Sequence, residues 1–226
     1  MRFYKKPSQR RPVYKMVLIA CIMLIQTGCS VFGLRSEEEI KYKVLLEDGD
    51  FEIRQYESYI QAKTNIDRRY SGSSREGFQR LFDYITGNNQ LEKEITMTAP
   101  VILNPNESKP IQKSERIAMT APVMVSPKES GWQFVFVLPK KFTLGTTPKP
   151  LDPRITISQV PEKIIAVYRF TGLLGEDTFQ ENKRILDAWL TEKNYQSISM
   201  TRMAGFDPPW TLPFLRRNEM MTEISF

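Results

Sequence analysis

The sequence predicts an α+β domain. Duplicated strand-strand-helix-strand halves would form a distorted, mostly antiparallel sheet or open barrel with two long helices. Short alternating segments typical of strands precede two amphipathic helical patterns of similar length. The order strand, strand, helix occurs twice, at an offset of 104 residues. Each half must cover an apolar face, so we expect the two halves to pack against each other and their helices.

The first half begins near Lys41 with three strand candidates and one helix. The strands are predicted at 41–46, 51–56 and 60–66. Ser73 and Glu76 have the spacing of a capping box, which predicts the start of the helix, and Gly87 predicts its end. The helix carries an apolar stripe at i, i+3, i+4 and i+7, namely Phe78, Leu81, Phe82 and Ile85.

The middle of the chain contains the pentapeptide Met-Thr-Ala-Pro-Val twice, at 97–101 and 119–123. A polar stretch at 104–116 separates the copies, which predicts a long hairpin with arms at 95–103 and 117–125. The segment 132–138 is apolar on both faces and is therefore expected to be a central strand, ended by Pro139.

The second half repeats the order of the first. A proline-containing crossover at 140–154 leads to strands at 155–160 and 164–170 and a helix at 176–193. The offset of 104 aligns Ile53 with Ile157 and Ala62 with Ala166. Closing strands are predicted at 198–204 and 218–226, and prolines keep 206–215 irregular.

Residues 1–28 have the layout of a secretory signal peptide. A basic start precedes a ten-residue apolar run at 16–25, which is shorter than a membrane span. Thr27, Gly28 and Cys29 resemble a bacterial lipobox, although Gln26 stands where leucine is usual. We expect Cys29 to be lipidated, a tether over 29–40 with a solvated acidic trio at 37–39, the domain at 41–226, and export to the periplasmic side of the bacterial envelope. An ordinary signal with a chance cysteine, or a short single-pass anchor, is the alternative.

Charge and composition exclude several classes of function. The net charge is +6, from 32 Lys and Arg against 26 Asp and Glu, and six basic residues of the leader account for all of it. No basic footprint for nucleic acid remains. The chain has no histidine, so Ser-His-Asp and Cys-His catalysis, the usual zinc ligand and the usual axial haem ligand are absent. No metal site is evident. The leader basic residues are Arg2, Lys5, Lys6, Arg10, Arg11 and Lys15.

Six segments, in order, resemble those of the SOUL haem-binding family and together span nearly all of 41–226. They are Glu52-Ile53-Arg54-Gln55-Tyr56-Glu57, the helix 78–87, the two Ile-x-Met-Thr-Ala-Pro-Val stretches, the proline loop 148–152, and the C-terminal runs 205–211 and 213–219. The resemblance implies the duplicated fold that this family shares with effector-binding domains of bacterial multidrug-responsive regulators. It also implies a capacity to bind haem or another tetrapyrrole.

Carried over residue by residue, the resemblance implies a ligand site on the first helix and nearby loops. Such a site needs an apolar slot, cations for the propionates and, optionally, an iron ligand. Each predicted ligand-binding side chain also has a structural interpretation. This is core packing for the apolar side chains, and an ion pair with Asp207 or Glu219 for Arg216 and Arg217. Tyr56, Tyr59 and Tyr84 are the tyrosines nearest the proposed site. The predicted ligand-binding residues are Phe78, Leu81, Phe82, Ile85, Met97, Met119, Arg216 and Arg217.

Three functions remain open at this point. The first is an envelope-anchored binding module that holds haem, porphyrin or a similar flat apolar ligand without a histidine. The second is an enzyme acting on a small amphipathic molecule, with Asp83 or Glu52 as the base. The third is a structural or interaction lipoprotein with no ligand.

Overall fold

The computed structural model describes residues 37–91 and 114–225. The repeated pentapeptide at 97–101, the predicted hairpin arm around it, and Cys29 lie outside these residues. The elements in chain order are β1 Glu38–Glu39, β2 Tyr42–Asp48, β3 Phe51–Tyr56, β4 Tyr59–Ile66, α1 Tyr70–Thr86, β5 Asn89–Gln90, β6 Thr120–Ala121, β7 Val123–Lys128, β8 Gly131–Val137, β9 Lys149–Pro150, β10 Ile155–Val160, β11 Lys163–Phe170, α2 Glu176–Glu192, β12 Gln196–Ser197, β13 Arg202–Gly205, a 3-10 helix Pro213–Leu215, and β14 Asn218–Ser225.

The main sheet is antiparallel and curls into an open half-barrel. Its strands follow the order β10-β4-β8-β7-β13-β14-β11-β3-β2, and β12 also pairs with β14. Two small sheets join β1 to β6 in parallel and β5 to β9 in antiparallel orientation. Both α1 and α2 have 17 residues. The predicted α+β class, with a distorted antiparallel sheet and two long helices, is confirmed.

The duplication is visible in the register of one long ladder. β3 pairs with β11 and β4 pairs with β10 along a continuous antiparallel run, interrupted only where each chain bends. Within it, Ile53 lies opposite Ala166, and Ile157 lies opposite Ala62. Adding 104 to Ile53 gives Ile157, and subtracting 104 from Ala166 gives Ala62. The offset found in the sequence therefore exchanges the two ends of this ladder about a pseudo-two-fold axis.

The core lies on both faces of the sheet. Along β8, Phe134 and Phe136 pack with the helices, whereas Val135 and Val137 pack in a second cluster on the other face. Because side chains alternate along a strand, these two clusters occupy opposite sides of the sheet. The prediction of a central strand, buried on both faces, is confirmed at β8.

Three local predictions need correction. The helix α1 begins at Tyr70 and not at a capping box, since Ser73 donates to the carbonyl oxygen of Tyr70 at 3.1 Å and caps nothing. The predicted arm at 117–125 is two short strands, β6 and β7, separated by Pro122. The predicted closing strand 198–204 is ladder-paired only over β13, from Arg202. Gly87 ends α1 as expected, with a positive φ of 133°.

The acidic trio at 37–39 is not a solvated tether throughout. Glu38 accepts a hydrogen bond from the backbone N–H of Lys140 at 2.8 Å, and Glu39 forms an ion pair with Arg217 at 3.1 Å. Ile40 is buried in the cluster on the sheet face away from the helices. The folded domain therefore begins at Glu38, because Glu38 and Glu39 both have partners within it.

Candidate functional site

The predicted apolar stripe of α1 divides into a buried half and an exposed edge. Leu81 and Ile85 are fully part of the core. Phe78 and Phe82 are only partly buried, and their rings stack with centroids 5.8 Å apart. Phe78 also meets the buried ring of Phe136 edge-on at 5.3 Å. The stripe is thus mostly structural, and its two phenylalanines present an aromatic surface.

A segment ahead of β6 lies along the end of α1. The backbone N–H of Ile117 donates to the carbonyl oxygen of Ile85 at 2.8 Å. Asn89 fastens the same segment, because its side chain bonds both the N–H and the carbonyl oxygen of Glu115, at 2.9 and 2.8 Å. Met119, two residues beyond Ile117, is partly buried against the same core as Phe78 and Phe82. We call Phe78, Phe82 and Met119 the α1 apolar surface.

The structure does not bring Arg216 and Arg217 to the α1 apolar surface. The guanidinium of Arg217 lies 3.9 Å over the ring of Phe206, which belongs to the cluster on the opposite face of the sheet. It also forms ion pairs with Glu219 at 2.8 Å and with Glu39. Arg216 donates to the carbonyl oxygens of Thr211, at 2.8 Å, and of Pro209. Both side chains therefore have structural partners, while their role in ligand binding stays a prediction.

The contacts of Arg217 belong to a buried network of charges that was not predicted as a unit. Arg54 is completely buried and pairs with Glu52 and with Glu219, the latter at 2.9 Å. It also donates to the hydroxyl of Tyr56 at 2.8 Å and lies 4.3 Å over the ring of Tyr42. Burial lowers the pKa of Arg54, but Tyr56 and Glu219 outweigh that cost, so the pKa is raised overall. This guanidinium is a permanent cation.

One signal in the sequence could have located half of this network. Glu52, Arg54 and Tyr56 alternate along β3 and so share one face. Three polar side chains on one face of a strand normally face water, yet here all three are buried. The acid that completes the network, Glu219, comes from β14 and is 165 residues away from Arg54 in the chain.

A sequence model of the family described as SOUL heme-binding protein matches residues 37–223. The chain belongs to the SOUL haem-binding family. This SOUL chain is 26% identical over 173 residues to heme-binding protein 1 of Xenopus laevis, covering 75% of the present chain and 81% of that protein.

Solved structures resemble this SOUL domain in fold. The C-terminal domain of EcmrR has a TM-score of 0.52 at 11% identity, covering 81% of this chain and 98% of that one. EcmrR in its complex with DNA has a TM-score of 0.53 at 11% identity, covering 94% and 67%. At this identity the likeness concerns the fold and says nothing of ligands.

The three tyrosines considered as iron ligands are poorly suited to bind iron as anions, and two of them, Tyr56 and Tyr59, pack on the sheet face opposite α1. Burial raises the pKa of Tyr84, whose hydroxyl donates to the carbonyl oxygen of Pro148 at 2.8 Å. Burial likewise raises the pKa of Tyr56 and of Tyr59. A tyrosine ligand of haem iron needs the opposite shift, toward the phenolate.

The two acids considered as bases are placed differently. Glu52 is buried and paired with Arg54 and Arg169. Asp83 is exposed and accepts a hydrogen bond from Gln79 at 2.7 Å. It lines an open polar groove of about 440 Å³ beside α1.

Cavities elsewhere in the SOUL domain do not involve the predicted ligand-binding residues. One of about 330 Å³ is lined by Ile40, Glu57 and Phe142 among others, and one of about 90 Å³ lies on the other side of Ile40 and Tyr59. Among residues 37–91 and 114–225, no group of three or more Cys, Asp or Glu is arranged to hold a metal ion. No helix in these ranges is both long enough and apolar enough to cross a membrane.

Proposed function

We propose that the protein is an envelope-anchored binding module for haem, porphyrin or a similar flat apolar ligand, held without a histidine ligand. The observation that carries the proposal is the stacked pair Phe78 and Phe82, partly exposed on α1 in a member of this family, with Met119 partly buried against the same core. The name of the curated relative, heme-binding protein 1, agrees with this ligand class.

The chemistry of the α1 apolar surface favours binding through ring burial. Two stacked aromatic rings offer a flat face, and methionine adapts its shape to a neighbouring ring. Burying apolar surface contributes roughly 25 cal/mol per Å². Arg116 is exposed on the same segment as Met119, so it is a cation available for a propionate, which the sequence pattern did not indicate. Such a site recognises the macrocycle more than its metal.

Anchoring to the envelope is the second part of the proposal. It rests on the leader at 1–28, the lipobox-like cysteine at Cys29 and the family match that begins eight residues later, at residue 37. Two or more acyl chains on one cysteine hold a protein stably on a membrane. The module would then present its ligand surface outside the inner membrane.

Titration with haemin and with iron-free protoporphyrin tests the ligand. For a chain starting at Ser30, we expect a Soret shift with both compounds and affinities within about threefold of each other, because no histidine binds the iron. Phe82→Ser should weaken both about tenfold, which corresponds to about 1.4 kcal/mol. The measurement is visible absorbance at fixed protein concentration.

Phe214→Ser is the matched control, since Phe214 is an exposed phenylalanine on the 3-10 helix Pro213–Leu215 and not on α1. It should leave both affinities unchanged. Absence of any Soret shift at tens of micromolar ligand would rule out the tetrapyrrole proposal. Haemin binding far tighter than protoporphyrin binding would show that an iron ligand exists and would overturn the ring-burial part.

A further inference from the structure

Four apolar side chains form an exposed cluster at one end of the domain. Trp210 is 62% exposed, Phe214 69%, Leu173 59% and Leu212 40%. Isolated exposed apolar residues are ordinary, but several large ones on neighbouring turns indicate a contact surface. We call the segment Pro208–Leu215 together with Leu173 the aromatic loop.

Hydrogen bonds hold the aromatic loop in this exposed arrangement. The Arg216 side chain bonds the Thr211 carbonyl oxygen, and the Leu215 N–H donates to the Leu212 carbonyl oxygen at 2.9 Å. The Gly172 N–H donates to the carbonyl oxygen of Pro213 at 2.9 Å, which brings Leu173 to the same surface. A loop fixed in this way loses little conformational entropy when its exposed side chains are buried against another surface.

The N-terminal end of the described domain lies next to this loop. Glu39 is 3.1 Å from Arg217, which lies two residues beyond the 3-10 helix, and Arg217 in turn bonds Asp207 through its backbone N–H. Eight residues lead from Cys29 to Glu37, so the cysteine lies at most about 28 Å along the chain from the start of the domain. A membrane that holds Cys29 is therefore within reach of the aromatic loop.

We propose that the aromatic loop is a membrane contact that inserts Trp210, Leu212 and Phe214 into the headgroup region of the lipid bilayer. Tryptophan and phenylalanine are suited to this interface, because their rings tolerate both the acyl boundary and the headgroups. In the anchored protein, which rests on the proposed lipidation of Cys29, the loop gives the domain a second point of attachment. The domain is then held in one orientation on the bilayer and does not rotate about the tether at 29–40.

The chain carries its own probe for this contact. Its three tryptophans are Trp132, Trp189 and Trp210, and the first two are only 4% and 6% exposed. The full chain is incorporated into vesicles of phosphatidylethanolamine and phosphatidylglycerol that contain brominated acyl chains, which quench tryptophan on contact. We expect a blue-shifted, quenched component that disappears in Trp210→Phe. Unquenched Trp210 in the membrane-bound chain overturns the proposal, whether it stays in water or is covered by a second copy of the protein.

Variants separate the loop from the lipid anchor. Cys29→Ser should still bind these vesicles, and adding Leu212→Ser and Phe214→Ser should weaken that binding roughly a hundredfold or more, because each buried apolar side chain contributes about tenfold or more. Ile198→Ser is the control, since it removes an exposed apolar side chain that lies outside the aromatic loop, beside Glu223 near the end of β14, and it should leave binding unchanged. Mass spectrometry of Cys29 tests the anchor alone. An unmodified Cys29 together with a quenched Trp210 supports the membrane contact of the aromatic loop and contradicts the lipidation of Cys29. An acylated Cys29 together with an unquenched Trp210 supports the lipidation and contradicts the membrane contact.

Discussion

At the scale of single residues, Arg54 connects parts of the chain that are far apart in sequence. From β3 it spans β11 to reach Glu219 on β14, while Glu52 and Tyr56 hold it from its own strand. A charge with no solvent exposure is stable only while its partners remain. The polar network thus links β3 to β14 across the strand β11 that separates them.

Replacing Arg54 should be among the most destabilising single substitutions in the domain. Arg54→Met removes the completely buried cation between Glu52 and Glu219 and leaves these acids with the more exposed Arg169 and Arg217, which typically costs about 3–5 kcal/mol. Lys140→Met is the control, because the pair of Lys140 with Glu57 is exposed and worth at most about 1 kcal/mol. Urea unfolding followed by circular dichroism measures both. Equal midpoints for the two variants would show that the buried network does not stabilise the fold.

The network also shows where prediction at this scale stops. Alternation along β3 already placed Glu52, Arg54 and Tyr56 on one face. The C-terminal Arg217 and Glu219 were recognised as a potential ion pair, and the structure forms that pair. What local patterns cannot supply is the contact between Arg54 and Glu219, 165 residues apart, because it depends on the topology of the whole sheet.

At the scale of elements, α1 approaches β8 more closely than any side chain larger than hydrogen allows. A Cβ atom added at Gly77 would collide with the ring of Phe134. The helix lies against the sheet at this point, and its neighbours Leu81 and Phe78 pack on the same strand region. Gly77 therefore sets the distance between helix and sheet on which the α1 apolar surface depends.

The substitution Gly77→Ala should destabilise the domain even though alanine favours a helix. Overpacking costs typically 1–3 kcal/mol, whereas the gain in helix propensity is about 1 kcal/mol. Gly72→Ala in the same helix is the matched control, since its Cβ would meet only the side chain of Arg68 at 3.9 Å. That variant should be neutral or more stable by up to about 1 kcal/mol. Thermal unfolding measures the stability of both variants. A higher melting temperature for Gly77→Ala than for Gly72→Ala would contradict this prediction.

Sequence periodicity predicts the helices and most strands, whereas tertiary packing decides where they begin and end. The start of α1 lies three residues before Ser73, where Tyr70 packs edge-on against Trp132 at 4.9 Å. Around Ser199 the predicted strand fails because the Ser199 side chain accepts the backbone N–H of Glu223 in place of a ladder carbonyl. Tertiary contacts overrode the local signal in both cases.

At the scale of the molecule, the duplicated halves are not separate units. β4 from the first half lies between β8 and β10, and β3 lies between β2 and β11. Both long strands of the first half thus find a neighbour in the second half. The sequence offset of 104 identified the repeat, yet only the sheet order shows that the repeats are interleaved.

The interleaving predicts that neither half folds alone and that the two together do. When the chain is cut between residues 104 and 105, the first fragment loses both neighbours of β4, and the core residue Ala62 loses Ile157 and Phe136 across the sheet. We expect weak circular dichroism and no cooperative unfolding for each fragment, and recovery of both in a 1:1 mixture. Ala62→Asp in the first fragment should abolish recovery, because it buries an unpaired carboxylate. Lys63→Gln, at the more exposed neighbouring position, should leave the recovery unchanged. Cooperative unfolding of the first fragment by itself would contradict the interleaved fold, since that fragment would then bury its apolar face without β8 and β10.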